Sequence, residues 1–557
     1  MLNETVAPSS VHTPVYGENM VKNNTGGYVY EITPLNALRR FLIMGAEKDS
    51  FYESKGKIFH RVLSTLDKIL ATSDYASAIN SIVDVSVNNL APKNNAAIFA
   101  LAMAASFKGV NSAAVRSAAL NHVSEVCRTP TELFEFVEYT RMRRGFGPGL
   151  RRAISNWYLS RGKNLGYQLV KYRNRNDWSH RDMLRLAHVR SEDPQTNAFF
   201  AFVCNEYKGE LNLDSHSVTT ERRLRKGSAQ DPVVRENVSF NTESDFRIVE
   251  GYMRARTATS SKEMVRLIDE YRLVQELIPS EFLSDKDVQM ALLRHMPITA
   301  ALRNVGRYTS TGVVAPFSEG TELIVSKLSN PNNFSKMHPV NLLSLQRIYS
   351  RGYSGGKSNI TWTPVTKITD ALESAFYNSF QNIVPTGKRY MLGIDISGSM
   401  DNQSPSFGLT YREIAMAMAM ATVRTEANCE AYALTNQTIT PLNIQKNETI
   451  NSLVSRTNRM NFGGTGLSQV FDYAEKRKIV GDVFCLYTDN EVNDGGHPSV
   501  HFNSYRKKMN PEVRMIVNAF AVTNLSVANP NDPYQLDIPG FGSDTPAIIS
   551  AFSRGVF

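Results

Sequence analysis

Five oxygen-bearing side chains in three separated stretches could hold a metal ion. GIDISGSM, residues 393–400, sets Asp395, Ser397 and Ser399 at alternate positions directly after an apolar run. FGGTGLS places Thr465 in a Gly-rich turn ahead of a helical pattern, and Asp489 closes the apolar run DVFCLYTD. Carboxylate and hydroxyl oxygens with no Cys or His nearby make a hard site, suited to a divalent cation, Mg²⁺ foremost and Ca²⁺ or Mn²⁺ also, and poor for zinc. With two acids, a divalent ion would stay short of negative charge and could take a further carboxylate or phosphate oxygen from a partner. D-x-S-x-S alone also describes an ordinary turn after a buried strand. Three such stretches, each at the edge of an apolar run or glycine turn, favour the metal.

A second group of residues carries charge rather than ligands. The chain has a net charge of +9, yet residues 141–190 hold 13 Lys or Arg against Asp177 and Asp182, so the rest of the chain is close to neutral. In SHRDMLRLAHV, Ser179 and Asp182 form a capping box. Arg181, Arg185 and His188 then follow i, i+4, i+7 spacing on one side, with Met183, Leu184, Leu186 and Ala187 toward the other. Lys171 and Arg175 repeat the i, i+4 spacing just upstream, and Tyr172 and Trp178 supply flat surfaces nearby. Most charge runs are solvated helix faces, and a lone histidine is usually a cap or a core residue. Here internal neutralisation is scarce, so a phosphate backbone is the expected relief.

The elements that must position these groups fall into two patterns. At 557 residues the chain exceeds one compact domain. From about residue 30 to 370 the apolar period is helical. Leu150, Ala153, Ile154, Trp157 and Tyr158 mark one face of LRRAISNWYL, and Thr129-Pro130-Thr131-Glu132 caps the helix before it. A run of such helices suggests an α-solenoid. Residues 191–245 are polar and weakly periodic and read as loop or a mobile insertion. After about residue 385, short apolar strands (RYMLGIDI, EAYALTN, DVFCLYT, VRMIVNAFAV) alternate with helices, which implies a parallel α/β sheet. Sites in such sheets form beyond the carboxyl ends of the strands, where the three metal stretches would meet. The expected division is a flexible 1–25, a helical 26–375 and an α/β 376–557.

Several functions are disfavoured. No apolar run approaches the roughly 18 residues of a membrane span, and the first residues lack the pattern of a signal peptide. Cys127, Cys204, Cys429 and Cys485 have no metal or redox spacing and suit the reduced interior of a cytoplasmic protein. GYSGGKS, residues 352–358, is one residue short of a phosphate-binding P-loop and reads as a turn. One ion with two carboxylates and no clear general base is thin equipment for phosphodiester cleavage, so no enzyme is expected.

The combination resembles the Ro autoantigen family, in which a TROVE module precedes a von Willebrand factor A domain. The resemblance rests on GGYVYEITPLNALRRFLIMG, CRTPTELFEFV, LRRAISNWY, KYRNRNDWSHRDMLRLAH, MPITAALRNVGR, VPTGKRYMLGIDISGSM and TDNEVNDGGHPS. It implies a HEAT-like helical-repeat ring, monomeric, closed by a Rossmann-like A domain. It further implies Ser397, Ser399 and Thr465 as hydroxyl ligands, with Asp395 and Asp489 acting directly or through water. By the same resemblance Lys171, Arg175 and His188 would contact small noncoding Y-like RNA, single-stranded 3′ ends of misfolded or unprocessed RNAs would pass through the ring, and an exoribonuclease could be a partner. Arg181 and Arg185 are added from helix spacing alone. Two departures stand out: Gly466 follows the metal-site threonine where the family usually has an acid, and residues 191–250 match poorly.

Overall fold

The structure, a computed structural model, describes residues 10–45, 55–91, 93–223, 233–240, 243–334, 339–354, 359–404, 407–436, 438–460, 463–540, 542 and 545–556. It divides into two compact units. One comprises Met1–Ala96, Ser335–Gln346 and Leu372–Phe557, the other Ala97–Phe334 and Arg347–Ala371.

The second unit is built of helices whose ends are fixed by the caps legible in the sequence. The Thr129 hydroxyl accepts from the Glu132 N–H while the Glu132 carboxylate accepts from the Thr129 N–H at 2.8 Å, opening the helix Pro130–Arg144. Pro148–Leu159 follows and buries the expected face of Leu150, Ala153, Ile154, Trp157 and Tyr158. Later helices each hide one stripe, as Ser261–Tyr271 does with Met264, Leu267 and Ile268, and Lys286–His295 with Val288, Ala291 and Leu292. A helix with one apolar stripe cannot bury it alone, so successive helices stack, the logic of a helical-repeat array.

The stretch 191–245 is not a structureless loop. It holds the helix Pro194–Cys204, capped by the Asp193 carboxylate, and an antiparallel sheet of Glu210–Asn212, Ser217–Arg223 and Val233–Ser239. Val218 pairs with Val238, and both are buried, as is Thr220. The ribbon's described inward residues are few and its exposed ones, Arg235, Asn237 and Ser239, are polar, so low overall hydrophobicity hid a period-two pattern. The cluster at 224–232 lies outside the described residues.

The first unit contains a six-stranded sheet in the order Ile439–Pro441, Asn428–Leu434, Arg389–Asp395, Val483–Thr488, Arg514–Ala519, Gln535–Pro539. All neighbours are parallel except the short edge strand Ile439–Pro441, which runs antiparallel, so the sheet is mixed rather than wholly parallel. Val483–Thr488 is buried along its whole length, and Met391, Phe471, Phe484, Leu486, Phe502 and Val517 form the core beside it.

The same unit also takes in the beginning of the chain. Met20–Lys22 and Tyr28–Glu31 pair with each other, and the latter pairs with Leu525–Ser526. Arg40, 1% exposed, donates to the carbonyls of Thr523 at 3.1 Å and Leu525 at 2.8 Å and forms an ion pair with Asp537. Sequence order placed residues 1–25 in a flexible lead and the following helices with the helical array. Spatially, described residues from this region pack with the A-domain fold, through partners 485 residues away that no local pattern encodes. The four cysteines are in no disulfide, and no described helix is long and apolar enough to cross a membrane. In GYSGGKS, Gly352 sits at φ +75°, while residues 355–358 lie outside the described residues.

Candidate functional site

Arg389–Asp395 is flanked by Asn428–Leu434 on one side and Val483–Thr488 on the other. That reversal of strand order opens a crevice at the carboxyl edge. Asp395 ends the central strand, fully buried. Its carboxylate accepts from the Ser397 N–H at 2.8 Å and from the Thr488 hydroxyl at 3.0 Å. The Ser397 and Ser399 hydroxyls lie 3.1 Å apart. Asp489, just past the neighbouring strand, is hydrogen-bonded by Ser399 and accepts from the Glu491 N–H at 3.1 Å.

Thr465 reaches this edge through its backbone. Its N–H donates to Asn493 Oδ1 at 2.7 Å, its carbonyl accepts from the N–H groups of Asn493 and Asp494, and the next residue, Gly466, donates to Thr435 O at 3.2 Å. The preceding glycines lie close against two asparagine side chains. A Cβ on Gly464 would lie 2.4 Å from Asn493 Oδ1, and one on Gly463 would lie 2.3 Å from Asn436 Oδ1. The Thr465 turn is thus pressed between the loops that follow two sheet strands.

Burial, and then the charge of Asp395, push the Asp489 carboxyl up to about 8, and burial raises Asp395 as well. Two buried carboxylates this close repel each other and favour an added positive charge. Buried Arg412 supplies part of it: its guanidinium donates to Ile396 O at 3.1 Å, pairs with Asp401 at 3.0 Å, and counters the rise at Asp395. Asp395, Ser397, Ser399, Thr465 and Asp489 are all at most 6% exposed. Among the described residues no cluster of three or more His, Cys, Asp or Glu could hold a metal. Two acids and three hydroxyls fit a hard divalent cation.

The basic residues are arranged differently from one continuous stripe. Lys171 is the last residue of the helix Leu165–Lys171, whereas Arg175 lies on a hairpin of Asn174–Arg175 and Trp178–Ser179. The hairpin turns at Asn176 and Asp177, whose φ values of 51° and 63° suit a two-residue turn with both central residues left-handed. The i, i+4 spacing of Lys171 and Arg175 is therefore not helical, yet both cations converge on the Tyr172 ring, at 5.2 and 5.8 Å from its centre. Lys171 also lies 5.5 Å over Tyr167. Burial opposes its charge, but Tyr167, Glu276 and Tyr172 together hold its pKa above the ordinary lysine value.

Beyond the hairpin, the Ser179–Asp182 capping box opens His180–Ala187. Met183, Leu184 and Ala187 are buried as expected, but Leu186 is 40% exposed. Arg181 is held in an ion pair with Glu206, Arg185 is exposed, and His188 is an exposed left-handed C-cap whose N–H donates to Leu184 O. Only His180, the first residue of that helix, is fully buried among the histidines of this segment. Tyr158 Oη lies 2.7 Å from its Nδ1, and burial lowers its pKa to about 3. Sequence reasoning missed Tyr167, Glu138 and Arg141. The Trp178 indole donates to Glu138 at 2.9 Å, and Arg141 sits 5.8 Å over the same ring. Their only sequence signal was an i, i+3 pair on the preceding helix, with nothing to indicate Trp178 as the shared partner.

Two family models match the chain: the TROVE domain over residues 21–351 and the Ro60 vWA domain over residues 389–553. Similar proteins include RNA-binding protein RO60 of Caenorhabditis elegans, 31% identical over 97% of this chain and 90% of the relative. RNA-binding protein RO60 of Deinococcus radiodurans is 32% identical over 97% of this chain and 96% of the relative. The crystal structure of the Deinococcus radiodurans RO (RSR) protein superposes with a TM-score of 0.68 at 30% identity, covering 94% of this chain and all of that one.

Proposed function

The chain belongs to the Ro60 family of TROVE-domain proteins, and from that premise we propose that it is a noncatalytic RNA-binding protein acting in RNA quality control in the cytoplasm. The observation that carries this reading is the convergence of Lys171 and Arg175 on Tyr172, beside the half-buried Trp178 hairpin. Cations there meet phosphates, and flat rings offer faces to unstacked bases. A small noncoding Y-like RNA would lie along this surface. Single-stranded 3′ ends of misfolded or unprocessed RNAs would thread a monomeric ring, with an exoribonuclease as a further partner.

The acid–hydroxyl cradle supports a metal-dependent contact beside that activity. Asp395 and Asp489, with the Ser397, Ser399 and Thr465 hydroxyls, would hold Mg²⁺, or Ca²⁺ or Mn²⁺ in its place. The ion would offset the carboxylate repulsion and offer a coordination position to an acidic oxygen of a protein partner. A purely adhesion-type module is the second reading. Protein capture that is abolished by chelator and survives RNase digestion favours it.

The test of the RNA reading is Lys171→Ala combined with Arg175→Ala, measured by filter binding to a structured small RNA between 50 and 200 mM salt. Loss of two phosphate contacts should weaken binding and flatten the dependence of log K on log salt by about 1.4 to 1.8. Unchanged affinity and slope would overturn the assignment.

A further inference from the structure

From the Tyr172 cluster, positive charge extends in two directions. Toward the helix His180–Ala187, Arg181 and Lys208 share Glu206, while Arg185 is exposed. In the opposite direction, Arg175 stands directly across the hairpin from Trp178. Arg141 lies over the Trp178 ring, and both donate to Glu138. Three residues further along the same helix is exposed Arg144, close enough to Arg116 that, after burial, its charge lowers the Arg116 pKa. Arg116 donates to Phe107 O at 2.8 Å, and the next residue, Lys108, is exposed.

The bland explanation is that these are arginines finishing helix ends. It suits Arg116 and Arg143, which donate to the carbonyls of Phe107 and Met103 just beyond and within the last turn of Asn95–Ala105. It does not cover Arg144 or Lys108, whose side chains face solvent. Neutralisation from nearby in the chain is also lacking. Residues 97–164 contain four acids, and each is engaged elsewhere: Glu125 with His122, Glu132 in the Thr129 cap, Glu135 with Tyr139, and Glu138 with Arg141 and Trp178. Like charges left this close, with the four acids of residues 97–164 already engaged, favour an anionic partner.

We propose that bound RNA runs from Tyr172 across the Trp178 hairpin to the corner formed by Lys108, Arg116 and Arg144, with Arg144 and Lys108 as sequence-independent phosphate contacts. This path rests on the RNA-binding reading above and extends it away from the Arg181 helix. Arg181 shares the Glu206 carboxylate and contributes less.

The test uses the full chain and a 5′-labelled RNA hairpin with a single-stranded 3′ tail, titrated with salt. Lys108→Ala with Arg144→Ala should weaken binding roughly tenfold near physiological salt and flatten the salt dependence by about 1.4 to 1.8, whereas Arg181→Ala should have the smaller effect. Arg144→Lys alone should bind like the unaltered protein, because a point charge suffices for a phosphate. Both side chains are exposed, and unchanged melting of the double variant would show that folding is intact. If that variant binds with unaltered affinity and slope while Lys171→Ala with Arg175→Ala is weakened, the path is wrong and the RNA reading stands. If neither double variant is weakened, both fall. Weaker binding at an unchanged slope would also overturn the path, since the loss would not be of phosphate contacts.

Discussion

Acidification should destabilise the helical unit through His180, the residue that seats the basic helix. The ring is fully buried, its Nδ1 faces the Tyr158 hydroxyl at 2.7 Å, and Phe134 meets it edge-on with ring centres 5.2 Å apart. Burial holds its folded pKa at about 3, against about 6.5 in the unfolded chain. Above 6.5 both states are neutral and the contribution is complete; as pH falls toward 3 the unfolded chain gains a proton that the folded one refuses, and stability is lost. Between pH 7 and 4.5 the loss from this one group is about 2.5 kcal/mol, a sizeable share of a typical total of about 5 to 15 kcal/mol. All three tryptophans, Trp157, Trp178 and Trp362, lie in the helical unit, so their fluorescence in urea follows that unit. His497, lowered by burial to about 4 in the other unit, stays outside this signal. His180→Gln should be less stable at pH 7 and should show a pH dependence shallower than the unaltered protein by about the same 2.5 kcal/mol over that range. Parallel pH dependences in the two proteins would refute the reasoning.

In the other unit, Arg40→Ala should cost about 3 kcal/mol, because it leaves the half-buried Asp537 carboxylate without its cation; calorimetry should show the A-domain transition shifted down while the tryptophan signal is unmoved. Mg²⁺ should raise the same transition, by about 2.7 kcal/mol at a hundredfold excess over its dissociation constant, and Asp395→Ala should abolish that response; an equal Mg²⁺ effect in the variant would place the ion elsewhere.

What the sequence made legible was mostly local. The Thr129 and Ser179 capping boxes, the buried face of Pro148–Leu159 and the central strands are set by residues within a turn or two of each other. That the stretches bearing Asp395, Thr465 and Asp489 lie at one edge was legible too, because parallel strands bring their carboxyl ends together. What stayed hidden depended on distant partners or on irregular backbone. Arg40 finds Asp537 only after the chain folds back, and Glu206 reaches Arg181 from beyond the basic helix. A tight hairpin at Asn176–Asp177 replaced the helical continuation suggested by the spacing of Lys171 and Arg175. The ribbon at Ser217–Ser239 was obscured because its described exposed residues are polar and its buried ones few.

Ultraviolet crosslinking of the full chain to a bound small RNA, with the modified peptides identified by mass spectrometry, tests the assignment of the RNA surface most directly. Adducts should concentrate on peptides carrying Tyr167, Tyr172 and Trp178, and should disappear from them at high salt. Adducts concentrated instead on the loops bearing Asp395, Thr465 and Asp489, with none on the Tyr172 segment, would contradict it.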